Sequence, residues 1–290
     1  MSKYRGLAAL IATSLLWATS FPAIKIVVSI VHEYTYTWLR SLLAMLGLTP
    51  YIILYIVRKR GLSGRVVKGG LLAGIAYALG LWLQGWGTRY TTASNSAFIT
   101  GLNMVFVHIY TGVVLRRYSL RLALSLLLAL VGLYYLTMPS TGFNIGDLLV
   151  LLGAFTWAAQ VIIVDRFSQE NPLVFTFFEM APALAFIIPD MLFNEAPSIQ
   201  VDVFLAILYL AIICSDTAFA LQVYGQKYII PATAAIIYLL EPVAATFFAY
   251  IVLRETMNTL QAIGAVIILA SMFTAALDKT VAKTHNKDTL

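Results

Sequence analysis

Hydrophobic runs of about twenty residues follow one another along the whole chain, separated by short breaks that carry charge, glycine or proline. Each run is long enough to cross a hydrocarbon layer as a helix. The breaks predict ten helices, near residues 7–31, 34–57, 69–88, 95–115, 121–138, 146–164, 172–193, 203–225, 231–253 and 260–277. Little chain is left over for a soluble domain. The first run is too long for a signal-peptide core and has no polar mature segment behind it, so it is expected to stay as a membrane helix.

Composition points the same way. Of 290 residues, 61% are hydrophobic and 11% charged, with a mean hydropathy of +0.87. Soluble domains are about 45–50% apolar. The fold class predicted is therefore an all-α integral membrane protein. A net charge of +6 would suit nucleic acid, but the basic residues are spread over connectors and form no stripe with interleaved aromatics. The charge reads instead as topology. With both termini on one side, that side takes Lys3, Arg5, the cluster from Arg58 to Lys68, Arg116, Arg117, Arg121, Arg166, Lys227 and the tail lysines, fifteen of the 19 basic residues in all. The opposite connectors hold only Arg89 and Arg254. Basic residues near span ends stay cytoplasmic, which predicts a multi-pass plasma-membrane protein with both termini inside. The lone cysteine, Cys214, excludes an internal disulfide and a thiolate cluster. No metal or other cofactor is expected.

The chain also repeats itself. Residues 83–116 and 221–254 align without a gap at a shift of 138, with eleven identities in 34 positions. Shared apolar composition gives some matches, but not Gln84/Gln222, Gly87/Gly225 and Tyr90/Tyr228. At a shift of 140, Gly6 and Trp17 fall on Gly146 and Trp157. The organisation read from this is a first five-helix repeat over 1–140, a second over 141–278, and a polar cytoplasmic tail over 279–290. Because five is odd, the second copy enters the membrane from the opposite face. Two inverted five-helix repeats around a central cavity follow, an arrangement common to secondary transporters.

Five stretches carry a family likeness: LLWATSFPAIK at 15–25, TYTWLR at 35–40, the run from Tyr90 to Ala97, LLEP at 239–242 and LRET at 253–256. Their order and duplication resemble the EamA branch of the drug/metabolite transporter superfamily, over residues 6 to 277. The resemblance implies ten helices, a cavity between the halves, and metabolite movement, often amino-acid export. One departure is Arg116–Arg117, where the first half would carry a glutamate like Glu255.

The polar residues at membrane depth are the candidate site. Glu241 lies roughly 15–18 Å from either end of its predicted helix at about 1.5 Å per residue. An acid at the midplane is costly and should face the protein interior, a partner or water. Pro242 beside it supplies no N–H and is tolerated where backbone lines a cavity. The repeat makes Asn103 the counterpart of Glu241, so the two should face each other across the pseudo-axis. Asp216, within CSDT, is a second candidate proton site, or the cap of a local distortion. Trp17 and Trp157 are candidate walls for a planar or apolar solute, with Tyr238 beside Glu241. Tyr77 and Gln84, seven residues apart, share a helix face that Ser215 and Gln222 repeat. Lys25 and Arg40 sit about six residues inside their span ends and are expected to snorkel to headgroups, with attraction of anionic substrate groups as the alternative. Glu179 and Asp190 are expected to reach water, and His108 to be a packed or interfacial histidine.

The function expected is a secondary transporter working by alternating access. Its partners would be a small-molecule solute and the lipid bilayer, with Glu241 or Asp216 as candidates for proton coupling, in a monomer or weak homodimer that binds no nucleic acid. The solute expected is an amino acid or a similar zwitterionic, cationic or aromatic metabolite, probable direction export. Exchange or import of an organic anion, nucleobase or vitamin is the alternative. A membrane enzyme would need a catalytic constellation, yet the sequence has no HExxH, no GxSxG and only three scattered histidines. A receptor role leaves the duplication without explanation, and no GxxxxGK[ST] loop is present to drive an ATP pump.

Overall fold

The structure, a computed structural model, describes residues 2–59, 61–114, 119–141, 144–194, 199–229, 234, 237–238 and 240–277. Among these residues there is no strand, and helices account for nearly everything. The first three spans are Ser2–Ile30, Glu33–Lys59 and Gly64–Tyr90. The fourth is made of two helices, Ala93–Gly101 and Asn103–Val114, and the fifth and sixth are Leu120–Thr141 and Ile145–Phe167. The seventh runs from Pro172 through a 3-10 segment, Ala181–Phe186, to Phe193. The eighth starts as Val201–Tyr209, widens into a π-helix over Leu210–Thr217 and ends as Ala218–Gln226. Leu240–Leu253 and Thr259–Ala276 belong to the ninth and tenth. Pro231, the expected start of the ninth, lies outside the described residues, as do Arg116, Arg117 and the tail.

Seven of these helical stretches are long and apolar enough to cross a membrane, and the shorter apolar helices Ala123–Leu136, Leu240–Leu253 and Thr259–Ala275 fall in the remaining three spans. The protein is the all-helical, ten-span, two-repeat membrane protein that the sequence predicts. Helix starts follow local chemistry. Thr92 accepts from the Asn95 amide at 3.0 Å and Asn171 from the Val174 amide at 3.1 Å, the latter with Pro172 at the first helical position. Asn258 and Gln261 exchange both bonds of a capping box. Connectors of two residues remain at 31–32, as the apolar runs suggest, and at 91–92, shorter than the runs suggest.

The most extensive packing joins the third span to the sixth and the fifth to the tenth, followed by first to ninth, third to seventh and first to eighth. Every one of these contacts crosses between the halves. Moving each span five places along converts first–eighth into sixth–third and third–seventh into eighth–second, which are also present, while fifth–tenth and fourth–ninth return to themselves. That is the self-mapping a pseudo-two-fold requires.

The glycines show the symmetry at atomic scale. A Cβ on Gly146 would stand 2.6 Å from the Gly87 carbonyl oxygen and 2.9 Å from Tyr90 Cβ; on Gly6 it would stand 2.8 Å from Tyr228 Cβ and 3.4 Å from the Gly225 oxygen. Gly6, Gly225 and Tyr228 are the repeat partners of Gly146, Gly87 and Tyr90. One backbone approach is therefore made twice, once at each end of the molecule. In lipid, where apolar side chains gain little by leaving the solvent, close backbone contact through small residues is what drives helices together.

Candidate functional site

Between the halves lies a cavity of about 450 Å³, counting its open mouth, walled by the first, second, third, fourth, sixth, eighth and ninth spans. Its position follows from broken helices. Leu102 separates the two parts of the fourth span, its amide falling back to the Ile99 carbonyl at 3.1 Å, and Asn103 begins the next helix. In the other repeat Pro242 interrupts the hydrogen-bond ladder at the matching level. The two breaks are neighbours, since a Cβ on Gly101 would meet Pro242 Cγ at 3.6 Å. Asn103 and Glu241 both face the cavity from these breaks.

Glu241 is 7% exposed, and its carboxyl has no hydrogen-bond partner among the described residues. Asn103 Oδ1 is buried and likewise unpartnered. Trp17 and Trp157, at matching positions of the first and sixth spans, also line the space, together with Phe219. Phe219 links them, 5.0 Å from the Trp17 ring and 5.9 Å from that of Trp157. Tyr77 and Tyr238 stand one layer behind and do not line the cavity. Tyr238 packs 5.8 Å from Trp17, and Tyr77 meets Trp157 edge-on at 5.7 Å.

Gln84 lines the cavity and donates to Thr100 Oγ1 at 3.1 Å. Its repeat partner Gln222 is fully buried and pairs with Gln160, which itself lines the cavity and donates to Glu179 Oε1 at 2.6 Å. Tyr77 and Ser215, repeat partners 138 positions apart, hydrogen-bond each other at 3.2 Å and so sit astride the pseudo-axis. Asp216 is buried within the π-helix, outside the cavity lining, with Oδ1 unpartnered.

Four expectations are corrected. Arg40 does not snorkel: it is 3% exposed, donates to Ser215 Oγ at 2.9 Å and to the Tyr36 hydroxyl at 2.6 Å, and lines the cavity. Lys25 donates to the carbonyls of Thr88, Arg89 and Thr91 at 2.7–2.9 Å, placing its charge on the C-terminal end of the third span. Glu179 does not reach water, being fully buried against Gln160. Asp190 is buried too, accepting from Thr35, Trp38 and Asn194. Sequence depth placed these groups near span ends, but each points inward, where neighbouring spans supply partners. His108 is packed, with Nδ1 2.8 Å from the Met104 carbonyl.

Ser20, Gln160 and Thr100 are the polar lining residues that sequence reasoning missed. A signal existed for the first two. Trp17 precedes Ser20, and Trp157 precedes Gln160, by three positions, which puts each pair on one helix face. At one end of the molecule, Glu255 accepts from the amides of Ala93 and Ser94 at 2.8 and 3.0 Å and from the Ser94 hydroxyl at 2.9 Å. The acid thereby satisfies the open N-terminus of the fourth span. Arg254 before it takes the left-handed conformation (φ 58°) that turns the chain out of the ninth span. Among the described residues no three His, Cys, Asp or Glu side chains gather as a metal site.

The EamA-like transporter family model matches residues 4–138 and again 144–277. The chain belongs to this family. An uncharacterized transporter of Archaeoglobus fulgidus is 32% identical over 267 residues, covering 91% of this chain and 83% of that protein. The uncharacterized transporter YyaM of Bacillus subtilis is 25% identical over 215 residues, 70% of each chain. A solved crystal structure superposes with a TM-score of 0.66 at 18% identity, covering 92% of this chain and 96% of its own, which supports the fold alone. As an EamA-like transporter this is a multi-pass membrane protein, and its relatives are named as transporters.

Proposed function

We propose that this EamA-like transporter is a secondary carrier that moves a small amino-acid-like solute by alternating access, in the export direction. The two repeats, 1–140 and 141–278, trade conformations around a fixed site, and the tail follows in the cytoplasm with the N-terminus. The protein sits in the plasma membrane and works as a monomer or weak homodimer.

The observation that carries this reading is the buried carboxyl of Glu241, unpaired among the described residues, on a cavity built from both halves. Burying a lone carboxyl is expensive unless something answers it. A substrate ammonium answers it in one state. A proton answers it in the other, which couples the two fluxes. Aromatic walls from Trp17 and Trp157 suit an apolar side chain.

The test is flux of labelled amino acids in proteoliposomes, with Glu241→Gln beside the wild type. The expected result is saturable, pH-dependent transport that loses its pH dependence in the variant. Unchanged pH dependence would exclude coupling through this residue, and absence of flux for every solute class would remove the carrier reading.

A further inference from the structure

Arg40 is a buried cation with no ion pair among the described residues, although its charge is felt by the buried carboxyl of Asp216. None of the described ion pairs involves it or Glu241, although both line one cavity. Its guanidinium is held in place: Nε donates to Ser215, Nη1 to Tyr36, and the cation lies 5.8 Å from the centre of the Tyr36 ring. Tyr77 in turn bonds the same Ser215. Those two bonds use only part of a five-donor fork, and Nη2 has no partner among the described residues. A group positioned this firmly, with no anion at contact distance among the described residues, costs the protein stability that a ligand's carboxylate can return.

We infer that Arg40 is the carboxylate-binding residue of the site, and that the solute is a zwitterion spanning from Arg40 to Glu241. This rests on the carrier reading and narrows it. The lining divides by chemistry as that ligand requires. Glu241 and Asn103 Oδ1 offer acceptors without donors, suited to an ammonium. Arg40 offers donors without an acceptor, and a planar guanidinium fits a carboxylate through two parallel bonds. A cation alone would leave Arg40 unpaired and add a like charge beside it. An anion alone would do the same to Glu241. The opposite charges come from different repeats, the second span of one and the ninth span of the pair, so a bridging zwitterion ties the halves together.

The test uses matched triplets on the purified full chain: L-phenylalanine, phenethylamine and 3-phenylpropionate, and L-leucine, isoamylamine and 4-methylpentanoate. Affinities come from titration calorimetry, and flux from liposomes. The expected result is that an amino acid binds at least about 30-fold tighter than its amine or acid, the loss typical of stranding one buried charged partner. Arg40→Gln should weaken the amino acid and so remove its preference over the amine, which, freed of a like charge, should bind at least as tightly as to the wild type, and Arg40→Lys should restore the preference in part. Retained amine binding also shows that the variant is folded. The inference is overturned if the amine or the acid matches the amino acid on the wild type, if no member of either triplet binds, or if Arg40→Gln weakens amino acid and amine alike. Flux of the amine without discrimination leaves the carrier reading standing. Loss of flux for the triplets and for nucleosides and polyamines as well removes both.

Discussion

Alanine at Gly146 and alanine at Gly153 should have opposite effects, although both glycines lie on the sixth span and face the third. A Cβ at Gly146 would meet the Gly87 oxygen at 2.6 Å, Tyr90 Cβ at 2.9 Å and the Thr91 amide nitrogen at 3.0 Å. None of these is the free end of a flexible side chain. A comfortable C–H···O approach is about 3.3–3.6 Å, so the two helices must part by roughly 0.7 Å. Overpacking of this kind costs about 1–3 kcal/mol. At Gly153 the nearest atoms are Gln84 N and Leu83 Cβ, both at 3.4 Å, which is ordinary contact. There the methyl group fits, and alanine gains about 0.8–1 kcal/mol of helix propensity over glycine. For a chain of this size 1 kcal/mol moves the melting temperature by about 2–4 °C. Gly146→Ala should therefore melt about 2–10 °C lower than wild type, and Gly153→Ala no lower and up to about 4 °C higher. Intrinsic fluorescence of the purified proteins during a thermal ramp measures both. Equal losses at the two sites would refute the claim that backbone clearance between the third and sixth spans decides the outcome.

Glu179→Gln should leave the melting temperature within about 2 °C of wild type, because an amide can still accept from Gln160, whereas Glu179→Leu strands that donor and should cost about 1–3 kcal/mol. Equal melting of the two variants would show that the Gln160 bond contributes nothing. Glu255→Ala removes the acceptors of the Ala93 and Ser94 amides while Thr92 still caps Asn95, a loss of about 1–2 kcal/mol on the scale of helix caps. Hydrogen exchange at the amides of Ala93 and Ser94 should accelerate, and unchanged protection would mean that water replaces the carboxylate without penalty.

The ten spans were legible because a membrane demands long apolar helices and little else satisfies that demand. The duplication was legible because Gly87, Gly225, Tyr90 and Tyr228 are constrained by close packing, which apolar composition does not impose. Orientation within the bundle was less readable. Arg40, Glu179 and Asp190 were judged by distance along the helix to its end, a measure of depth that says nothing about rotation around the axis. Each turns toward a neighbouring span, and those partners, such as Ser215 for Arg40, lie far away in sequence. The 3-10 and π segments of the seventh and eighth spans left no mark in the apolar pattern, since both keep the same hydrophobic content as an α-helix. Glu241 and Asn103 were found through the repeat, and Gln160 was within reach of the same reasoning.

The π-helix over Leu210–Thr217 belongs to one half only, for residues 72–79 of the third span are ordinary α-helix. Interchanging the halves therefore does not return the same object. Under the alternating-access proposal, a carrier built this way has two end states of unequal free energy even with identical solutions on both sides, so reversing a gradient would not run the cycle backwards at the same speed. The wide turn that carries Ser215, the Arg40 partner, is one source of that inequality.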